Sequence, residues 1–300
     1  MSLELKAFDL RKRTARAAVL SREELRRAFE RREFEVYYQP VVALSTGRLS
    51  GFEALARWRH PARGVVGPSE FIPLAEEARL LTEIGGWVLE EACRQTCEWR
   101  ELIPSQQHLT VSVNLSFGQL ARPDLVGRVR RTLRETGLPP DCLKLEVAES
   151  DVASNADAAA SVLTRLRALG VRLSIDDFGA GHASPSYLRR IPVDTLKVDR
   201  PHVAETADGG DGGETVRAAV ALASALGAEL VAEGVEAPEQ HARLEALGCE
   251  YAQGFLYSEP VNAESALSLI RRGVPTPRSL APERENADRS LFRLARVLAA

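Results

Sequence analysis

One local pattern repeats along the second half of the sequence and limits what the chain can fold into. An amphipathic helical segment ends in glycine, a short apolar run follows, and a polar or charged residue stands where that run stops; the glycines are Gly137, Gly170, Gly227 and Gly248. Glycine is favoured just beyond a helix because that position takes a left-handed backbone conformation. Helices that alternate with strands act as crossover connections, and such connections produce a parallel sheet.

Eight apolar runs fit the length and composition of strands. They are 35–39, 49–56, 109–115, 143–147, 171–175, 195–198, 229–232 and 251–253. Eight strands over about 240 residues fit a β/α barrel better than an open sheet. The turn 43–50, which contains Gly47, is too short for a crossover helix, so the first two strands must pair antiparallel. The predicted fold is therefore α/β, a TIM-like β/α barrel with one antiparallel strand near the start.

The two ends of the chain depart from this pattern. Residues 1–20 are rich in basic side chains and are predicted to form an N-terminal linker or helix, after which Ser21 begins a helix. Residues 274–300 begin with prolines and many charges and are predicted to form a linker with a short C-terminal helix. The barrel is assigned to 21–273. The glycine-rich run 209–213 lacks the spacing of a phosphate loop and is interpreted as a flexible connection.

Composition excludes several classes of protein. Hydrophobic residues make up 45% of the chain and the formal net charge is −3, which is too apolar for a disordered chain and not basic enough for a protein that binds duplex nucleic acid. The four cysteines lack zinc-type spacing and are interpreted as unpaired thiols in a reducing compartment. The sequence shows no apolar signal segment and no run of membrane-spanning length, so a cytoplasmic location is predicted.

Polar side chains recur where the predicted strands stop. They are Glu53, Asn114, Glu146, Asp176, Asp177, Lys197, Glu233 and Gln253. In a β/α barrel these strand ends share one rim, where active sites form. So many carboxylates would repel one another without cations, and hard oxygen donors with one amide suit Mg²⁺ or Mn²⁺. Adjacent aspartates suit a pair of metals, an arrangement typical of phosphoester cleavage.

A structural interpretation of the same residues competes with this one. A single carboxylate at a strand end is more often a helix cap or a solvated loop residue, and Asp176 and Asp177 taken alone fit that description. A lone lysine such as Lys197 usually forms a surface ion pair. The whole set favours a site, because buried charge is costly unless it is paired or bound to metal.

A series of motifs resembles the EAL domain family, the cyclic di-GMP phosphodiesterases. The sequence Glu-Ala-Leu at 53–55 is followed directly by Ala-Arg. The other motifs are YQP at 38–40, WRHP at 58–61, FIPLAE at 71–76, VNLS at 113–116, DDFGAG at 176–181, PVD at 192–194, LKVD at 196–199, EGVE at 233–236 and QG at 253–254. They stand in the order of the family across 22–272, so the resemblance is specific.

The resemblance implies that cyclic di-GMP is hydrolysed to linear pGpG with two Mg²⁺ or Mn²⁺ ions. The metal ligands it implies are Glu53, Asn114, Glu146, Asp176, Asp177 and Glu233, with Asp176 bridging the two ions. The catalytic residues it implies are Glu233 as general base, Lys197 as the residue that orients water, and Glu53. Gln39 and Arg57 would contact the substrate. Glu149, Glu236 and Gln253 would support the site or the loop beside it.

The resemblance also implies partners and leaves alternatives. A homodimer is expected, and the segment 8–31 is similar to linkers that follow a GGDEF domain, so a GGDEF or sensory domain upstream in a longer parent protein is expected. A receptor that binds cyclic di-GMP without cleaving it is the main alternative function. The retained set of ligands favours the enzyme over that receptor. A barrel hydrolase for another phosphodiester is disfavoured by Arg57, Gln39 and the full set of motifs.

Several positions depart from the family pattern without removing a predicted ligand. Ala148 and Ala180 stand where threonine is usual, and the loop reads His-Ala-Ser-Pro at 182–185. His182 is interpreted as an ordinary loop residue. His202 stands where phenylalanine is common, and Glu259 stands where a basic residue often precedes proline. The changed loop leads us to expect altered regulation or turnover, and Glu259 would weaken substrate binding if it faces the site.

Overall fold

The computed structural model of the protein describes residues 20–179, 188, 190–206 and 212–277. Several predicted features fall wholly or largely outside these ranges: the N-terminal linker or helix (1–20), the C-terminal linker and helix (274–300), the glycine-rich run 209–213, Ala180 and the loop 182–185 with His182.

The elements alternate as the glycine pattern predicts. The helices are α1 (Arg22–Glu30), α2 (Pro68–Glu77), α3 (Leu81–Leu102), α4 (Phe117–Leu120), α5 (Leu125–Thr136), α6 (Glu149–Ser154), α7 (Ala156–Arg167), α8 (Arg200–Ala204), α9 (Gly212–Leu226), α10 (Pro238–Leu247) and α11 (Ala263–Arg272). The strands are β1 (Phe34–Ala43), β2 (Leu49–His60), β3 (Gly64–Val66), β4 (Thr110–Leu115), β5 (Leu143–Ala148), β6 (Arg172–Phe178), β7 (Thr195–Val198), β8 (Glu229–Ala232) and β9 (Tyr251–Ala252).

Eight of these strands close into a barrel. Their order is β1-β9-β8-β7-β6-β5-β4-β2, and β1 also pairs with β2 to complete the ring. β1 is antiparallel to both of its neighbours, whereas the strands from β2 to β9 round the rest of the ring run parallel. The predicted barrel with its antiparallel first strand is confirmed. β3, which was not predicted, pairs with the far end of β2 outside the ring.

Local sequence fixes where the helices begin and end. The side chain of Ser21 accepts a hydrogen bond from the backbone of Glu24 at the start of α1, as the predicted helix start requires. Such a cap stabilises a helix by about 1 kcal/mol. α5 and α10 end at Gly137 and Gly248, both left-handed, which confirms the repeating pattern at these two positions.

The apolar core lies between the strands and the surrounding helices. Trp99 of α3 packs its ring against Tyr38 and Phe52, with centroid separations of 4.7 and 5.3 Å. Such aromatic pairs contribute about 0.5–1.5 kcal/mol each beyond the area they bury. This apolar layer packs on the outer side of the strands, whereas the buried polar side chains Glu53, Glu146 and Lys197 lie inside the barrel towards its carboxyl-terminal mouth.

Two further expectations concern cysteine and the membrane. All four cysteines are free thiols, as the sequence indicates. Within the described ranges, no helix combines the length and apolar character that a bilayer span requires.

Candidate metal centre

The ammonium group of Lys197 lies at the centre of the barrel mouth. The side chain, which projects from β7, is 2% exposed. Its Nζ lies 2.5 Å from a carboxylate oxygen of Glu233 and 2.9 Å from one of Glu146. Asp176 and Glu53 follow at 3.3 and 3.5 Å. Four carboxylates from β2, β5, β6 and the end of β8 thus converge on one ammonium group.

Two amides complete the ring of polar groups around Glu53. Asn114 Nδ2 donates to one carboxylate oxygen of Glu53 at 2.7 Å, and Gln253 Nε2 donates to the other at 2.7 Å. Gln253 Nε2 also donates to Glu233 at 2.9 Å. The other atom of that amide, Gln253 Oε1, is buried and bonds to no other described atom. A buried acceptor without a partner is costly, and a cation or its bound water would satisfy it.

The adjacent aspartates stand at one side of this ring. Asp176, Asp177 and Glu233 each offer an oxygen, and these three oxygens lie within 4.8 Å of one another. The backbone N–H of Asp177 donates to the carboxylate of Asp176 at 3.0 Å. Asp177 has φ +54°, an uncommon conformation for a residue other than glycine. The turn therefore aims two consecutive carboxylates at the same region.

The ring carries far more negative than positive charge. Four carboxylates lie within 3.5 Å of the ammonium group of Lys197, and the exposed carboxylate of Asp177 lies beside them, so full ionisation of all five would leave four negative charges uncompensated. Burial alone would lower the pKa of Lys197, but Asp176, Glu146, Glu233 and Glu53 hold that pKa well above its ordinary value. Burial raises the pKa of Glu146 to about 7. Without further cations the site therefore retains protons on its carboxylates.

Burial and neighbouring charges also shift the pKa values of Asp177 and Glu53. Burial, followed by the charge of Asp176, raises the pKa of Asp177. Burial works in that direction on Glu53 too, but the charge of Lys197 and the amide hydrogen bonds outweigh it, so the pKa of Glu53 lies below its ordinary value. Excess negative charge, oxygen donors and an orphaned amide oxygen together fit a hard divalent cation such as Mg²⁺ or Mn²⁺.

The two residues expected to bind substrate lie beside the ring. Gln39 pairs with Glu53 in the β1–β2 register, and its Nε2 donates to the carbonyl of Ser258 at 3.4 Å. Arg57 is half-buried, and its guanidinium lies 5.7 Å from the ring centroid of Tyr37. Burial lowers the pKa of Arg57. Arg57 lies four residues after Glu53 on β2, and because side chains of a strand alternate between its two faces, both side chains lie on the same face.

The supporting residues are placed less uniformly. Glu149 accepts a hydrogen bond from the backbone N–H of Gly179 at 3.1 Å, just beyond the aspartate pair. Gln253 contacts the ring directly, as described above. Glu236 forms an ion pair with Arg200 at 2.5 Å, and the contacts of the described residues give it no bond to the ring.

Gln39 and Arg57, the residues expected to bind substrate, each contact a residue that was not predicted from the sequence. Tyr37 lies under Arg57, and Ser258 presents its carbonyl to Gln39. The alternation of β1 was a usable signal for Tyr37, because it places residues 37 and 39 on the same face of the strand. Nothing in the sequence separates the backbone carbonyl of Ser258 from its neighbours.

Comparison with known proteins gives the family. The family model of the EAL domain matches residues 22–260. The chain therefore belongs to the EAL domain family. The bifunctional diguanylate cyclase/cyclic di-GMP phosphodiesterase MucR of Pseudomonas aeruginosa is 44% identical over 247 residues, which are 82% of this chain and 36% of MucR. The cyclic di-GMP phosphodiesterase NbdA of the same organism is 44% identical over 250 residues, 83% of this chain and 32% of NbdA. The chain thus spans about a third of the length of these curated relatives.

Solved structures agree with this assignment. The structure of the MucR phosphodiesterase in complex with c-di-GMP aligns with a TM-score of 0.78 at 44% identity, covering 81% of this chain and 98% of that one. The EAL enzyme Bd1971, bound to cAMP and cyclic di-GMP, aligns with a TM-score of 0.79 at 32% identity, covering 83% of this chain and 68% of that one.

Proposed function

We propose that this protein is a cyclic di-GMP phosphodiesterase that hydrolyses its substrate to linear pGpG with two Mg²⁺ or Mn²⁺ ions. The ring of five carboxylates around one buried lysine carries the proposal. Two divalent ions would balance the four negative charges that Lys197 leaves uncompensated. The names of MucR and NbdA, both cyclic di-GMP phosphodiesterases, support the choice of substrate.

The ligands divide into two groups around Asp176. Glu53, Asn114 and Glu146 would hold one ion together with Asp176. Asp177 and Glu233 would hold the other, with Asp176 shared between the two. The proximity of oxygens from Asp176, Asp177 and Glu233 supports the second group. When bound, such a pair of ions neutralises the scissile phosphate and makes water more acidic.

The residues of the chain supply position and proton transfer. Glu233 accepts the proton of the attacking water as general base, and Lys197 donates a hydrogen bond that orients this water. Glu53 keeps its orientation through Asn114 and Gln253, each at 2.7 Å. Arg57, resting on Tyr37, offers its guanidinium to a phosphate oxygen, and Gln39 binds the substrate beside it. Glu149 supports the loop and Gln253 the ring, whereas Glu236, which pairs with Arg200, would act on the site through water.

The surroundings of the barrel are also part of the proposal. We assign the phosphodiesterase barrel to 21–273, with linkers at 1–20 and 274–300. A homodimer, a GGDEF or sensory domain upstream in a longer parent protein, and a cytoplasmic location remain predictions from the family resemblance.

The test is direct hydrolysis. Purified protein is incubated with cyclic di-GMP and either Mg²⁺ or Mn²⁺, and the products are separated by chromatography. Metal-dependent formation of pGpG is expected, with none in EDTA and none from Glu53→Ala. Glu135→Ala, the same substitution at an exposed position, is the matched control, because Glu135 lies at the exposed end of α5 and its side chain is 61% exposed. That variant should retain the wild-type rate.

The same experiment separates the enzyme from the receptor. Tight binding of cyclic di-GMP without any product, in the presence of either metal, would contradict the enzyme and leave a receptor of the EAL family. Ala148 and the loop 182–185 would then be the first positions to revert to the usual residues of the family.

A further inference from the structure

The backbone that carries the aspartate pair is held in an unusual shape. Asp177 has φ +54° and Gly179 has φ +98°. The β6–β7 ladder shifts register between Ile175 and Phe178, so the paired region bulges where Asp176 and Asp177 stand. A left-handed residue other than glycine persists only where surrounding contacts hold it. The shape of this turn therefore depends on the contacts of the residues that follow it, such as the hydrogen bonds of Gly179.

Two side chains fasten Gly179 from opposite sides. Glu149 accepts a hydrogen bond from its N–H at 3.1 Å, and His202 Nε2 lies 3.1 Å from its carbonyl oxygen. A carbonyl oxygen only accepts, so Nε2 carries the hydrogen and donates it. A Cβ built on Gly179 would lie 3.1 Å from His202 Nε2, closer than most side chains tolerate. Glycine therefore allows this close approach of the imidazole.

His202 lies on α8, which begins shortly after the strand that carries Lys197. Its backbone N–H donates to the carbonyl of Asp199, the residue that follows this strand, at 3.1 Å. Its other nitrogen, Nδ1, is buried and bonds to nothing within the described residues. A half-buried imidazole whose Nδ1 is buried without a partner among the described residues is less favourable than the phenylalanine that the family resemblance leads us to expect. The hydrogen bond to Gly179 is what histidine adds at this position.

We propose that His202 is a positioning residue for the metal centre. Its hydrogen bond to Gly179, together with that of Glu149, holds the turn so that Asp176 and Asp177 present their carboxylates in the shape that binds metal. Without this bond the carbonyl of Gly179 loses the imidazole donor while Glu149 still accepts from the N–H of Gly179, and ordering the turn becomes a cost of metal binding. The inference rests on the metal centre of the proposed function.

The test is Mn²⁺ binding to the metal-free full chain, measured by isothermal titration calorimetry. His202→Phe keeps an aromatic ring and removes the donor, so Mn²⁺ should bind about fivefold more weakly, which corresponds to one neutral hydrogen bond. His202→Gln returns an N–H donor at the end of a side chain of similar reach and should recover most of the affinity. His108→Phe is the matched control, since His108 is exposed, and it should bind Mn²⁺ as the wild type does.

Thermal unfolding of the metal-free variants separates positioning from general support of the fold. A lower Tm for His202→Phe with unchanged Mn²⁺ affinity overturns the inference, as does His202→Gln binding no better than His202→Phe. His202→Asn, which keeps polarity but is too short to reach Gly179, serves as a second loss variant if the phenylalanine protein does not fold. A wild-type protein that binds no Mn²⁺ overturns the metal centre itself. If the wild type hydrolyses cyclic di-GMP but the wild type and the His202 variants bind Mn²⁺ equally well, only the proposed role of His202 is overturned.

Discussion

Two buried lysines inside the same barrel have opposite electrostatic surroundings. Both line one small interior cavity, with Lys197 towards the carboxyl-terminal mouth and Lys144 towards the other end. Lys197 faces four carboxylates within 3.5 Å. Within the described part of the chain Lys144 pairs with one carboxylate, that of Glu229, at 3.0 Å, and Arg172 approaches the same carboxylate at 3.8 Å.

The difference separates a structural ion pair from a binding site. At the lower end two cations share one carboxylate, and Thr195 and the ring of Tyr251 complete the surroundings of Lys144. That arrangement needs nothing from outside the chain. At the mouth one ammonium group is shared by four carboxylates within 3.5 Å, and buried charge left without a partner is strongly unfavourable. An excess of negative charge, rather than the burial of a charged group, therefore distinguishes the metal centre.

The largest expected effect comes from removing Lys197, with removal of Lys144 as the comparison. Lys197→Met should lower the rate of cyclic di-GMP hydrolysis by about 10²–10⁴-fold, since it removes the group that orients the attacking water. Lys144→Met, the same chemical change one layer lower, should leave the rate close to that of the wild type. Both rates are measured at saturating Mg²⁺, with circular dichroism to verify that each variant is folded. Equal losses in the two variants would remove the distinction between the two ends.

The mouth should also make the stability of the metal-free protein depend on pH. The pKa of Glu146 is about 7 in the folded protein against 4.5 when unperturbed, because burial disfavours its charge. Between pH 4.5 and pH 7 the carboxyl group of Glu146 therefore keeps its proton in the folded state and loses it in the unfolded state. Glu146 contributes its full stability below pH 4.5 and loses it as the pH rises towards 7, by up to about 3 kcal/mol.

Urea unfolding of the metal-free wild-type and Glu146→Gln proteins at pH 5 and pH 8 measures this dependence. The wild type should lose stability relative to the variant as the pH rises. Saturating Mg²⁺ should reduce the loss, because a bound cation favours the ionised carboxylate. A difference between the two proteins that stays constant with pH would show that Glu146 is not the group responsible.

Mg²⁺ should stabilise the folded protein by binding at the carboxyl-terminal mouth of the barrel and not at its other end. At Mg²⁺ concentrations of about 100 times Kd, binding to the folded state adds about 2.7 kcal/mol to the free energy of unfolding. EDTA should reverse the increase in Tm. Glu53→Gln should diminish this increase, whereas Lys144→Met should show all of it. An increase that survives Glu53→Gln unchanged would place the stabilising ion elsewhere.

The two ends also differ in how well the sequence predicts them. Polar residues that stop successive apolar runs predict the mouth, because every parallel strand of a barrel ends on the same rim. The antiparallel first strand follows from a turn too short for a helix, and β1 and β2 pair in that way. The glycines that close helices mark the elements between these strands. Such signals are local, and each can be found within one stretch of chain.

Contacts that arise from closure of the barrel lie beyond such reasoning. Lys144 and Glu229 are 85 residues apart, and nothing near either one indicates the other. The hydrogen bond of His202 to Gly179 depends on how α8 packs after β7, although the two residues are only 23 apart. β3 has three residues, which is too few to show a period. Long-range partners and very short strands were missed for these physical reasons.

The smallest expected effect lies at the lower end of the barrel. Glu229→Gln removes the carboxylate partner of Lys144 while keeping the shape of the side chain. Because the Glu229 side chain is 34% exposed, solvent weakens the pair, and the loss of stability should be about 1 kcal/mol. Mn²⁺ affinity, measured by calorimetry on the same preparation, should not change, because Glu229 stands outside the ring. A weaker Mn²⁺ affinity in Glu229→Gln would show that the two ends are coupled through the interior of the barrel, and the lower ion pair would then belong to the metal centre.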